Sequence, residues 1–474
     1  MTPRTSFPRA LFAALALAAV TSPALLAQPA TQAPAPPATP PTTPTSLGYA
    51  YQLATAALRA GDHAGMRRVL RDARRFAPDD PAVLYYLARA EALTGEADSA
   101  LATLERLARQ GAARDLATDS AFLALRTSAT TAPRFAAVLA TMHAASRPLV
   151  RSDTAFVLPN PDFIPEGIAW DSAGGRFLVG SLRGGGVLAV GKDGQATPFI
   201  GGGDGLDEVL GMKVDARRGR LWLAMLTEDS TAPRFMQESG GWAALHAYDL
   251  RTGARVARHV VPDSTGPHLL NDVAIAPNGD VYVTDSEGGA LWRLRAGADR
   301  LERAHGGAND FTYPNGVAVS TDGRRLYVAH MEGLSTMPLD GAGAGRLVRV
   351  ATPAGTSAGG IDGLYACGDG LLAVQRLLDF QQVTRFRLSP DGGRITSAEA
   401  LERRHPAYDF ATTGAIGGGA FTYIANAQLG RLRTGGAIAP RAAGAAAVRS
   451  LALRLPLAGA CDAASSPATS ATPR

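Results

Sequence analysis

The chain has 474 residues, 46% of them hydrophobic and 19% charged, a composition that fits a globular protein with room for two domains. Its 47 basic and 42 acidic residues leave a formal charge of +5, but the basic side chains are scattered arginines, with only Lys192 and Lys213 as lysines. No basic stripe or block of like charge appears, so nucleic-acid binding is not an expected function.

At the N-terminus Arg4 and Arg9 precede or flank an apolar run over residues 10–20, and Leu25-Leu26-Ala27 offers a cleavage site before Gln28. This pattern predicts a secretory signal peptide over 1–27 and a secreted or periplasmic mature chain. The run is shorter than the ~20 residues that span a bilayer, and no later segment is long and apolar enough, so no membrane span is expected in the mature chain. Residues 28–45 are Pro, Thr and Ala without apolar periodicity and read as an extended linker.

Residues 46–145 are rich in Ala, Leu and Arg at helical spacing. Gly61-Asp62 and Gly95-Glu96 lie 34 residues apart, and Leu53 with Leu87, Ala54 with Ala88 and Leu70 with Leu104 keep that offset. A helical period of 34 is the signature of tetratricopeptide repeats, and it predicts two repeats plus a degenerate helix pair. Such an array implies a groove for a protein partner; the plainer reading is a helical cap without a ligand.

From Arg151 short β-rich runs alternate with Gly, Asp and Asn turns. Six units align: EGIAWDSAGGRFLVGS from Glu166, GMKVDARRGRLWLAM from Gly211, NDVAIAPNGDVYVTDS from Asn271, NGVAVSTDGRRLYVAH from Asn315, DGLYACGDGLLAVQ from Asp362 and GAIGGGAFTYIANAQ from Gly414. Their starts are 45, 60, 44, 47 and 52 residues apart. Each is followed by further strand-like runs, and four strands at such a period make a propeller blade. The predicted architecture is an all-β six-bladed β-propeller over 150–458, preceded by an N-terminal α-helical tetratricopeptide-like domain. Residues 154–158 and 451–456 are candidates for closing the ring, and 459–474 form a tail expected to be disordered. Cys367 and Cys461 could pair outside the cytoplasm, but nothing in the sequence brings them together, and a buried free thiol is expected for Cys367.

The first strands of all blades start at one mouth of the central channel, so the residue at each head faces that mouth. Those heads include Glu166, Asn271, Asn315 and Asp362. Asn and Asp before Gly or Asp are ordinary turn residues when taken singly. Four of them at one position in four blades form a set of hard oxygens suited to Ca²⁺, with Mg²⁺ or Mn²⁺ as substitutes; Zn²⁺ is least suited, because no His or Cys stands there.

These units resemble the six-bladed calcium-dependent propellers of the senescence marker protein, regucalcin and gluconolactonase family, and more distantly the paraoxonases and strictosidine-synthase-like proteins. The resemblance covers residues 157–432. It implies that Glu166 of Pro165-Glu166-Gly167, Asn315 of Pro314-Asn315-Gly316 and Asp362 of Asp362-Gly363 ligate the metal. It also implies that Asn271 of Asn271-Asp272 lies against metal and substrate, and that Asp362 is the acid/base. Two departures bear on the substrate: Leu269 stands where sugar-lactone hydrolases carry Arg, and the strand after Asn315-Gly316 ends in His330 rather than Asp.

The activity expected is a metal-dependent lactonase or esterase in which the cation polarises the carbonyl and activates a water. Asp362 moves the proton, or His330 or His268 does. No Gly-x-Ser-x-Gly elbow is present. The loop over 227–242 is predicted to emerge over the site, with Phe235, Met236 and Trp242 as an apolar lid. Ends of second strands add Arg183, Asp285, Gln375, Arg376 and Asn426 to the rim. These features fit an uncharged lactone or ester. The competing class is a non-catalytic, metal-stabilised scaffold whose helices dock a partner, since the propeller fold alone does not decide function.

Overall fold

The computed structural model describes residues 43–457, 459 and 461, except 112–113, 184–185, 202–207, 228–241, 263–266, 307–310, 342, 379, 433–437 and 441–447. The expected signal peptide, most of the linker, nearly all of the tail and the loop bearing Phe235 and Met236 lie outside the described residues.

Six helices come first: α1 (Leu47–Arg59), α2 (His63–Ala73), α3 (Pro81–Leu93), α4 (Ala97–Arg109), α5 (Leu123–Thr127) and α6 (Ala132–Ala145). Side chains cap the starts of the first three. Ser46, Asp62 and Asp80 accept hydrogen bonds from the amides of Tyr49, Gly65 and Val83, and Pro81 occupies the first turn of α3, where a missing N–H costs nothing. The pairs α1/α2 and α3/α4 start 34 residues apart, from Leu47 and Pro81 and from His63 and Ala97. None of the described helices is long and apolar enough to cross a membrane.

Twenty-four strands then form six four-stranded antiparallel sheets. Blade 1 holds β2 (Pro165–Asp171), β3 (Arg176–Ser181), β4 (Val187–Val190) and β5 (Ala196–Ile200). Blade 2 holds β6 (Glu208–Asp215), β7 (Arg220–Thr227), β8 (Trp242–Asp249) and β9 (Arg255–Val260). Blade 3 holds β10 (Leu270–Ile275), β11 (Val281–Asp285), β12 (Ala290–Leu294) and β13 (Glu302–Gly306). Blade 4 holds β14 (Val317–Val319), β15 (Arg325–His330), β16 (Gly333–Pro338) and β17 (Val348–Arg349). Blade 5 holds β18 (Ile361–Cys367), β19 (Gly370–Leu377), β20 (Phe380–Leu388) and β21 (Ile395–Arg403). In blade 6, β22 (Gly414–Gly417), β23 (Ala420–Ile424) and β24 (Leu451–Pro456) are completed by β1 (Asp153–Val157).

β1 pairs antiparallel with β24, so the two ends of the propeller segment share one sheet, as the sequence predicted. The first strands touch in the order β2, β6, β10, β14, β18, β22 and back to β2, which closes the ring around the channel. Closure leaves no open sheet edge between first and last blades.

One sequence expectation is overturned. Cys367, at the end of β18, forms a disulfide with Cys461, with Cα atoms 4.3 Å apart. Leu453, Leu455 and Leu457 pack with Cys367 in one apolar cluster, and Cys461 packs against it. β24 thus returns the C-terminal segment to blade 5, a proximity that spacing along the chain could not reveal.

The helical region is seated on the propeller. Leu377, Leu378 and Phe380 of blade 5 share a core with Leu84 and Ala88 of α3, Leu104 of α4 and Phe135 of α6. Met331 of blade 4 packs against the core of α1 to α3. Polar ties surround these contacts: Gly355 N–H donates to Asp79 Oδ2 at 3.0 Å, and Arg349 Nη2 donates to the Phe76 carbonyl at 3.1 Å. After α6, Leu149 bridges to Arg403 of β21.

Candidate metal and substrate site

The innermost strands are irregular at their heads. The antiparallel register slips between Pro165 and Ile168, between Val209 and Met212, between Leu270 and Val273, and between Ile361 and Leu364. Each slip is a bulge, and a bulge re-aims the side chains it carries. Glu166, Asn271 and Asp362 sit in three of these bulges, and Asn315 stands just before β14. In blade 2 the bulge carries Leu210 instead. The glycine that follows a head has a steric reason. A Cβ on Gly167 would lie 2.2 Å from the Leu210 carbonyl oxygen, and one on Gly316 would lie 2.7 Å from that of Asp362. Each glycine therefore lets its strand approach the bulge of the next blade.

All four heads line one cavity of about 150 Å³. Its walls are apolar, with Leu182, Leu210, Leu269, Ile361, Leu377 and Leu378 among them, and Tyr313 and Arg376 also face it. Tyr313 (φ 53°) and Leu378 (φ 49°) hold left-handed backbone, a conformation costing roughly 1–3 kcal/mol that persists only where the surroundings enforce it.

The polar chemistry is acceptor-rich. Asn315 Nδ2 donates to Asp362 Oδ1 at 2.9 Å, and Asn271 Nδ2 donates to Ser286 Oγ at 3.0 Å. These bonds fix both amides with their nitrogens engaged and their oxygens left over. Glu166 Oε2 and Asn315 Oδ1 are buried without a hydrogen-bond partner. Buried polar atoms are normally satisfied, so two orphan acceptors in one cavity point to a missing electropositive partner. The donor set is all oxygen, two carboxylates and two amides, which suits a hard divalent cation. Among the described residues no group of three or more His, Cys, Asp and Glu is placed to hold a metal, which fits a set built half from amides.

Burial, reinforced by the Asp362 charge, pushes the Glu166 carboxyl well above its ordinary range. Burial likewise raises Asp362, while the Arg376 guanidinium and the Asn315 hydrogen bond oppose the rise. Arg376 lies with its guanidinium carbon 3.5 Å from the centre of the Phe410 ring, a stacking that holds the cation beside the carboxylates.

The other expected residues divide. Arg376 and His330 line the cavity. His330 is buried, with Nδ1 2.8 Å from Glu332 Oε2 and Nε2 2.9 Å from Ser335 Oγ, so both ring nitrogens are already engaged. His268 is outside the cavity, with Nδ1 2.5 Å from Asp285 Oδ2. Asp285 is fully buried and also accepts from the amides of Leu269 and Gly288 and from Trp292 Nε1, so it organises blade 3 rather than the rim. Gln375 and Asn426 are likewise buried in hydrogen bonds within their own blades. Arg183 is exposed and does not line the cavity. Phe235 lies outside the described residues, as does the side chain of Trp242.

Sequence reasoning missed Tyr313 and the four cavity residues supplied by the helices, Tyr51, Asp80, Pro81 and Ala82. Tyr313 could have been found, since it immediately precedes the Pro314-Asn315-Gly316 head. The helical residues carry no such mark.

No family model matches the chain, and no curated protein matches it. Among solved structures it is similar to a gluconolactonase from Xanthomonas campestris, at 17% identity and a TM-score of 0.43, covering 66% of this chain and 92% of that one. It is also similar to a calcium-binding protein, regucalcin, from Agrobacterium tumefaciens, at 15% identity and a TM-score of 0.43, covering 65% and 95%. A third is the PQQ-bound form of an aldose sugar dehydrogenase from Streptomyces coelicolor, at 15% identity and a TM-score of 0.42, covering 65% and 98%. Scores and identities at this level leave the function to be argued from the cavity itself.

Proposed function

We propose that the chain is a divalent-cation-dependent hydrolase that opens a lactone or ester, with Ca²⁺ as the cation. The observation that carries this reading is the pair of orphan buried oxygens, Glu166 Oε2 and Asn315 Oδ1, in a cavity completed by Asn271 and Asp362. These four residues would hold the ion. When bound, it supplies Lewis-acid polarisation of a carbonyl, worth several kcal/mol in the transition state.

The chain's own residues do the rest. Asp362 accepts a proton from the attacking water and returns it to the leaving oxygen, while Asn315 Nδ2 holds the carboxyl in place. Arg376 favours the ionised form of Asp362. Leu182, Leu210 and Leu269 exclude water and favour an uncharged substrate; activity confined to phosphorylated sugars would count against that substrate class. The Cys367–Cys461 disulfide supports export, since such bonds persist in oxidising compartments. The 34-residue repeat of helix pairs supports a tetratricopeptide-like origin for the helical region.

The test is turnover of a panel of lactones and aryl esters by the full chain, with and without chelator. Turnover should depend on added Ca²⁺, and Asp362→Ala should lose about 10³-fold or more in kcat/KM while keeping its circular dichroism spectrum. Absence of turnover across the panel overturns the reading in favour of a scaffold, and turnover indifferent to chelator overturns the role of the cation.

A further inference from the structure

The cavity is not closed by the propeller alone. Tyr51 from α1, with Asp80, Pro81 and Ala82 at the start of α3, lines the same space as Glu166 and Asp362. The residues are held there. The Tyr51 hydroxyl donates to Asp80 Oδ1 at 2.6 Å, and that oxygen also accepts the Val83 amide at 2.9 Å. Leu47 N–H reaches Glu332 Oε1 at 3.4 Å, and Glu332 in turn contacts His330 of the cavity wall. Met331, also in that wall, packs into the α1–α3 core. The wall is thus fixed by apolar packing on blades 4 and 5 and by hydrogen bonds to blade 4 and the segment that follows it.

We propose that the helical region forms the far wall of the reaction cavity, with Tyr51, Asp80 and Ala82 as specificity-determining residues for a small uncharged ring compound that carries a hydroxyl. This deepens the hydrolase reading and rests on it for the reacting end of the ligand. Size follows from the space: a cavity of about 150 Å³ lies below the roughly 300–1,000 Å³ of sites for drug-sized ligands, and a space of that order accepts a benzene-sized ring. Polarity follows from Asp80 and Tyr51, which stand among Pro81, Ala82, Met331 and Leu377 as the polar groups of this wall. The Tyr51 hydroxyl, whose proton is committed to Asp80, keeps lone pairs that accept a ligand O–H, so a hydroxylated ring gains a hydrogen bond that its apolar analogue cannot make.

The experiment is titration of the full chain with phenol and with toluene, followed by ligand-observed NMR in the presence of chelator. Phenol should bind at least about fivefold more tightly than toluene. The double variant Tyr51→Phe/Asp80→Asn retains an acceptor for the start of α3, and should bring the two ligands within about twofold. Ala82→Leu should weaken both by about tenfold or more, whereas Leu93→Ala, on the exposed end of α3, should change neither. Circular dichroism melts identify a variant that fails to fold, and the remaining variant then carries the test. Equal binding of phenol and toluene by the unaltered chain, no binding of either, or indifference to Ala82→Leu overturns the proposal. Neither Ca²⁺ nor turnover enters this titration, so failure of the hydrolase reading leaves its result intact.

Discussion

The propeller and the helical region both contribute to one cavity, but by opposite routes. The propeller repeats a single device, a bulge at the head of four of its six inner strands, and varies the residue it presents: Glu166, Leu210, Asn271 and Asp362. The helical region contributes once, through the start of α3 and one side of α1, and its position depends on surfaces meeting. Repetition builds a ring of converging oxygens that one element could not supply. Docking builds the wall that closes it.

The largest effect that could break this comparison is in the helical core. Phe122 is fully buried in the cluster shared with Leu377 and Phe380, and Phe122→Ala should cost about 3–5 kcal/mol in chemical denaturation. If the two regions are one cooperative unit, tyrosine and tryptophan probes in the propeller will report the same shift. A shift confined to the helical circular dichroism signal would show a separately folding wall.

Next is the ring itself. Glu166→Gln removes a charge from the acceptor set and should weaken Ca²⁺ binding by about 100-fold or more by calorimetry, with little change in the melt of the chelated protein. Unchanged Ca²⁺ affinity would remove Glu166 from the site.

A matched pair of glycines sharpens the contrast. A Cβ at Gly316 would lie 2.7 Å from backbone, the Asp362 carbonyl oxygen, while one at Gly48 would lie 2.7 Å from the Thr312 Cγ2 methyl. Backbone in a ring cannot give way, whereas a side-chain methyl at a docking surface can. Gly316→Ala should therefore cost about 1–3 kcal/mol and disturb Ca²⁺ binding, and Gly48→Ala should cost less and leave Ca²⁺ binding alone.

The smallest effect is on pH dependence. Burial raises Glu166 and Asp362, and also Asp272 to about 7, where the Lys213 charge opposes the rise. Groups raised on folding make the folded chain hold protons that the unfolded chain releases. Their contribution is therefore full below the unfolded carboxylate values near pH 4 and declines as pH rises toward the folded ones. Burial lowers His246 and His330 and works the other way, so the comparison is made against Glu166→Gln: between pH 5 and pH 8 the chelated protein should lose roughly 2–4 °C more than that variant, and saturating Ca²⁺ should narrow the gap. Identical pH dependence in the two proteins would contradict the burial of an uncompensated Glu166 carboxyl.

The six-blade repeat, the closing pair of strands and the four heads that line one cavity were legible in the chain alone. Each is written locally and repeated, as a strand, a turn and a polar residue before Gly or Asp, so alignment of the chain with itself reveals it. It likewise showed helix pairs 34 residues apart. Packing in three dimensions settled that those helices sit over the channel, that Cys367 meets Cys461, that His330 is engaged on both nitrogens and that Asp285 is buried away from the cavity. The first two depend on surfaces that meet across 94 residues or more, and the last two on which way a side chain turns once its strand is packed, and neither leaves a period in the chain.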